Sequence, residues 1–312
     1  MKKLVLFLLI SFSFFTLFSQ DIIIPEHIKE FNQKLEILYN TRESFIINPD
    51  NSELLDALIT DYEEVFFMNE FSEKVYGYLY TDYAGLLVQK GDVELAFEYY
   101  DLAYDLKKLT ANEFGYPVYR QYFEKDPLLL NEYNKKKKEY EDNAKNYYTP
   151  REQEVRTKIE EMFEADQFAR NNYLDYPNII PHTDSITMVE LTYLLEKYPE
   201  FDDPLRDIYP FAGIVIYRHI FTAYPDFWLT YFEPTARKLL LTGEYGPLGY
   251  ARTYDRCMIT SGKAEYSYYG EWDNDGKNIN PDCEAVDKRR INLGLPLLKD
   301  KPSNEGKFFI TY

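Results

Sequence analysis

Histidine, cysteine and tryptophan are scarce in this chain, and their scarcity narrows the chemistry open to it. The 312 residues hold three histidines (His27, His182 and His219), two cysteines (Cys257 and Cys283) and two tryptophans. The two cysteines do not form a paired-cysteine metal or redox motif. There is no Gly-rich phosphate loop, no G-x-S-x-G and no H-E-x-x-H, so the signatures of nucleotide binding, serine hydrolysis and zinc proteolysis are missing. No metal and no cofactor is expected. Positive charge is also in deficit, with a formal net charge of −18. A field of that sign repels nucleic acid and anionic lipid, so neither is expected as a partner.

Long apolar runs are confined to the start. Lys2 and Lys3 precede an apolar stretch from Leu4 to Phe18, and Ser19 stands just before the sequence turns polar. This is the three-part layout of a secretory signal peptide. The stretch is short for a membrane span, which needs ~20 apolar residues, and no later stretch is apolar enough. The expectation is a soluble protein, periplasmic or secreted, starting near Gln20 and not inserted in the membrane after cleavage. Loss of Lys2 and Lys3 takes its charge from −18 to −20. Export makes a Cys257–Cys283 disulfide chemically possible, and two free thiols are the alternative.

Aromatic residues are abundant, at 18% with 31 Tyr. Phe, Tyr, Asn, Lys and Ile are plentiful together, which reads as compositional bias. Sugar stacking is the other reading.

From Ile28 to about Lys108 the apolar spacing is helical, with Phe31, Leu35 and Leu38 on one side and Asn51 or Ser52 placed to cap a second helix. In residues 76–107, Tyr80, Tyr83, Ala84 and Leu87 make one stripe. Gly91-Asp92 makes a turn, and Ala96, Tyr100 and Ala103 make the facing stripe. The segment resembles a tetratricopeptide repeat, although it lacks the repeat's Trp and has Lys108 where the closing Pro would stand. An antiparallel helix pair in a small bundle is the other reading. The domain expectation is a signal peptide over 1–19, a tetratricopeptide-like region over 20–109, a helical connector over 110–148 and a helical domain over 149–312.

The last segment opens with Thr149-Pro150, a helix-start signal. Ser185 is placed to cap a helix over 186–198. Further helices are expected over 209–223, 226–241 (kinked at Pro234) and 247–261, followed by an irregular tail with a tight turn at Asn274-Asp275-Gly276. The fold class is therefore all-α.

The ionisable residues of this half form a candidate site. Asp166, Gln167 and Arg170 lie within about one helical turn, His219 interrupts an apolar helix, and Asp255-Arg256 sits mid-helix. Tyr269-Gly270 and Arg289-Arg290 follow in the tail. These residues resemble the landmarks of an uncharacterised family of bacterial, often exported, domains over about 155–298: D-Q-x-x-R, a His in an apolar helix, D-R, Y-G and R-R-x-x-L-G-L. Two positions depart from that pattern. Arg218 precedes the His in place of Gln, and Tyr198-Pro199-Glu200 stands in place of Gly-x-Pro. The resemblance implies a shared fold and site, and no reaction.

The functional expectation is a polar pocket for a small anionic ligand or a peptide terminus. Gln167, Arg170, Arg256, Tyr269, Arg289 and Arg290 would bind it. His219 with Asp166 or Asp255 would supply acid–base chemistry, hydrolysis included. The other reading is a non-catalytic helical scaffold or protein-interaction module, in which the same charges form a buried network.

Overall fold

Short polar side chains set where the helices begin. Asn51 accepts the backbone N–H groups of Glu53 at 2.9 Å and Leu54 at 3.1 Å. Thr149 and Glu152 form a reciprocal capping box with Pro150 in the first turn. Each satisfies donors that a helix start would otherwise leave unpaired.

The structure is a computed structural model that describes residues 22–144, 147–198, 210–271 and 280–298. Every regular element among them is helical, so the chain is all-α in this range. The longer helices are α1 (Glu26–Ile47), α2 (Ser52–Phe66), α3 (Leu79–Lys90), α4 (Val93–Asp105), α5 (Pro127–Asn143), α6 (Pro150–Asn171), α7 (Ile179–Lys197), α8 (Pro210–Ala223), α9 (Glu233–Leu241), α10 (Pro247–Thr260) and α11 (Cys283–Asn292). None is long and apolar enough to cross a membrane. The expected signal peptide and the turn at Asn274-Asp275-Gly276 lie outside the described residues.

Two compact units emerge. The central unit is Glu30–Thr235, and the terminal unit joins the described residues up to Lys29 with those from Ala236 onward. Residue 148, where a boundary was expected, lies inside the central unit.

The first half of the central unit is built on aromatic packing. Its core cluster runs from Phe31 to Tyr140. α3 and α4 form a hairpin closed at Gly91, whose φ of 93° is a left-handed conformation that glycine adopts without penalty. Ala84, Ala96 and Ala103 are fully buried, and their small side chains let the two helices pack closely. The segment 110–148 does more than connect. Tyr140 stacks on Tyr104 with ring centroids 4.1 Å apart, and its hydroxyl donates to Asp101 at 2.7 Å. Tyr133 is buried and donates to the Phe114 carbonyl. Two or three aromatic rings thus do for this segment what one aliphatic stripe does elsewhere.

The second half brings together α6, α7 and α8. Val155, Ile159, Met162 and Ala169 on α6 are buried, as are Leu191 and Leu194 on α7 and Ala212, Ile216 and Ile220 on α8. Two expectations need correction here. α7 begins at Ile179 and not after Ser185, which is exposed inside the helix. Pro181 falls within the first turn, where its missing N–H breaks no helical bond. The helix expected over 226–241 is three segments: a short turn Pro225–Phe227, a π-helical turn Trp228–Phe232, and α9. Pro234 has no N–H to give to Thr230. The chain widens instead, and the Glu233 N–H reaches the Trp228 carbonyl.

In the terminal unit, Cys257 is buried and Cys283 is exposed, and no disulfide joins them.

Candidate functional site

Three side chains from three helices of the central unit converge on one guanidinium. Arg170 leaves the last turn of α6. Its Nη2 lies 2.8 Å from Asp184 Oδ1 on α7 and 3.0 Å from Asp166 Oδ1 one turn back on α6. Its Nε lies 2.7 Å from His219 Nδ1 on α8. The His219 Nδ1 is also 2.9 Å from both Asp166 carboxylate oxygens, and the Gln167 amide donates to Asp166 Oδ2 at 2.9 Å. The carboxylates are the inner members, with side chains 4% exposed for Asp166 and 9% for Asp184. Arg170 and His219 are about one-quarter exposed and form the outer edge.

One ring nitrogen cannot accept from a guanidinium and donate to a carboxylate at once. The cluster therefore has two proton arrangements. In the first, Nδ1 accepts from Arg170 and Nε2 carries the proton. In the second, Nδ1–H is donated to Asp166, and a neutral ring presents a lone pair at Nε2. Nε2 has no partner among the described residues, and neither has Arg170 Nη1. The outer edge thus offers two N–H donors beside a group that is either a donor or an acceptor. Two carboxylates and one guanidinium leave the cluster at −1 with a neutral imidazole and at zero with an imidazolium. Burial pushes the Asp184 carboxyl above the ordinary carboxylate range; Arg170 opposes this, and the Asp166 charge adds to it.

The remaining expected site residues belong to the terminal unit, where they build a loop clasp. Asp255 on α10 is fully buried. Its carboxylate accepts the Ser267 hydroxyl and the backbone N–H groups of Tyr268 at 2.7 Å, Tyr269 at 3.0 Å and Glu271 at 2.9 Å. Burial pushes this carboxyl up as well, and those same donors oppose the shift. From α11, Arg290 is 1% exposed; its Nη1 donates to the Tyr269 carbonyl at 2.8 Å and to Glu271. Arg289 donates to the Tyr268 carbonyl at 2.8 Å and lies 4.0 Å from the centroid of the Tyr268 ring. Tyr269 is buried. Gly270 has φ 71°, a left-handed conformation that strains any residue with a Cβ. Arg256 is half-buried on α10 beside Asp255.

The structure therefore gathers Asp166, Gln167, Arg170 and His219 in one place. Asp255, Arg256, Tyr269, Arg289 and Arg290 fall in the other compact unit. Sequence reasoning gave Asp184 no place in the site. Its signal was the buried stripe Asp184, Thr187, Leu191 and Leu194, which appears only once α7 is extended back past Ser185. Among the described residues no group of His, Cys, Asp and Glu is arranged to hold a metal ion.

Two substitutions test these assignments. Asp255→Ala strands three backbone N–H groups and a hydroxyl in the interior, and is expected to cost about 3 kcal/mol or more in a denaturant melt. Asp184→Asn is expected to gain on the wild type as pH rises from about 4, because the raised carboxyl pKa makes ionisation costly in the folded state only. The gain is about 1.4 kcal/mol for each pH unit by which folding raises that pKa, and melts across the acid range measure it. A mutant-to-wild-type difference that is flat with pH would refute the assignment. Compared with protein-family models, with curated proteins and with solved structures, the chain matches none.

Proposed function

We propose that this is an exported protein, periplasmic or secreted, whose central unit binds a small ligand through an anionic group at Arg170 and His219. His219 is the proton-transfer group. The observation that carries the reading is the unpartnered Nε2 of a part-exposed imidazole whose other nitrogen is held between a buried carboxylate and a guanidinium. A carboxylate or phosphate oxygen can accept from Arg170 Nη1 and from a protonated Nε2 together. In the other arrangement, with no anion on it, a neutral Nε2 presents a lone pair that can take a proton from water, the step that hydrolysis asks of such a group. Export rests on the layout of residues 1–19. Asp255, Arg289 and Arg290 are assigned to holding the terminal unit's loop, because their polar atoms are bound to that loop's backbone.

One observation favours a second reading. Arg170 spans three helices, as a purely structural ion-pair network would. In that case a protein partner, and not a small molecule, would use the helical surface.

Melting the wild type and His219→Ala with phosphates, dicarboxylates and amino-acid derivatives separates the two. His219→Ala is expected to change stability by about 1 kcal/mol or less, because the ring is part-exposed. At least one anion should stabilise the wild type, by about 2.7 kcal/mol at a hundred times its Kd, and fail to stabilise the variant. If no anion shifts the wild type and His219→Ala is severely destabilised, the network reading replaces the site. The intact mass of protein from the periplasmic fraction should lack residues 1–19; a mass that includes them removes the export reading.

A further inference from the structure

The charged cluster does not stand alone on its helices. One and two turns further along α7, Met188 and Thr192 continue the line that begins at Asp184. One turn further along α8, Ala223 continues the line that begins at His219. These three residues, with Tyr224, Pro225, Asp226, Phe227, Thr230 and Tyr231, line a groove of about 460 Å³. That volume falls in the range of sites for small organic molecules, roughly 300–1,000 Å³.

The groove is built from an irregularity. Thr230 and Tyr231 belong to the π-helical turn that Pro234 imposes, and Phe227 immediately precedes it. Such turns are common at functional sites, because the extra residue per turn re-aims side chains. Here the Phe227 and Tyr231 rings stand 5.1 Å apart and tilted by 42°, with Tyr224 also lining the groove. Met188, Ala223 and Pro225 supply further apolar surface. Phe227 is buried, whereas Tyr231 is 52% exposed, so the groove is open to solvent along one side.

Resting on the head-group reading above, we propose that this groove holds the aromatic body of the ligand, making the ligand class an arylalkyl carboxylate. The carboxylate would lie against Arg170 Nη1 and His219 Nε2, and the ring would lie among Tyr224, Phe227 and Tyr231. One helical turn is about 5.4 Å, a distance that two methylenes between ring and carboxylate span. Offset and edge-to-face contacts favour an aromatic guest over an aliphatic one of equal area.

The test uses acetate, hexanoate, 3-phenylpropionate and 3-phenylpropanol as probes, with dissociation constants from NMR titration of the full chain. The expected order of affinity is 3-phenylpropionate, hexanoate, acetate. Each buried methylene is worth about two- to fourfold, and the aromatic acid should bind about tenfold or more tighter than acetate. Ala223→Trp fills the groove and should bring 3-phenylpropionate to the level of acetate. Tyr231→Ala, at a half-exposed position that the fold tolerates more readily, should also weaken 3-phenylpropionate. If the three acids bind alike and neither variant matters, the groove proposal is wrong while the head-group reading stands. If 3-phenylpropanol binds as tightly as the acid, and His219→Ala leaves both unchanged, the groove is kept and the head-group reading falls. If none of the probes binds, the groove proposal is overturned, and the head-group reading stands or falls by the melts with phosphates and dicarboxylates.

Discussion

The Arg170 guanidinium is the interaction on which the second half of the central unit depends. Asp166 and Asp184 are almost fully removed from water on two different helices. Two buried carboxylates that close repel one another, and neither is tolerable as an ion without a cation between them. Arg170 supplies that cation and has a third contact left for His219 on α8. Removing it would cost about 3–5 kcal/mol, the usual result of leaving buried charges unpaired. The fork geometry matters as much as the charge: a lysine could neutralise one carboxylate but could not hold three partners in fixed directions.

That same fork fixes the histidine. With Nδ1 caught between Arg170 Nε and Asp166, the ring cannot turn without losing a contact, so Nε2 is held outward. The apolar helix around His219 contributes no competing polar partner; Ile216 and Ile220 beside it are buried. A network made to satisfy two carboxylates therefore also orients a titratable group at the protein surface. Structural pairing and proton transfer are not rival descriptions of these atoms. They become rivals only over what occupies the outer edge.

Much of the fold was legible because it rests on local chemistry. The caps at Asn51 and Thr149, the turn at Gly91 and the alanines of the hairpin each act over a few residues, and each reads directly from sequence. Two failures share one cause. Ser185 is a good cap in isolation, yet the helix runs straight through it, because burying Asp184, Thr187, Leu191 and Leu194 on one face outweighs a local preference. Pro234 was expected to kink a single helix, but a proline can be met by a kink or by a wider turn, and surrounding packing decides which. The candidate site was half legible. Asp166, Gln167 and Arg170 are neighbours on one helix, so their meeting follows from spacing. Nothing in linear order says which of His219, Asp255 or Arg289 an Arg on α6 will reach. Residue type alone made all of them look alike.

The contrast between Asp166 and Asp255 shows what would have told them apart. Both are buried aspartates in helices, and both sit close to an arginine in sequence. Asp255 is satisfied by Ser267 and by three backbone N–H groups. Amide donors have one protonation state near neutral pH and cannot leave without unmaking the loop. Such a carboxylate can only hold. Asp166 is satisfied by side chains, and one of them is an imidazole that changes charge when it gains a proton. Its environment therefore has more than one stable arrangement, and the difference between them is exposed at Nε2. A buried carboxylate surrounded by backbone donors belongs to the fold. One surrounded by titratable side chains with an outward face is where a ligand can change the balance.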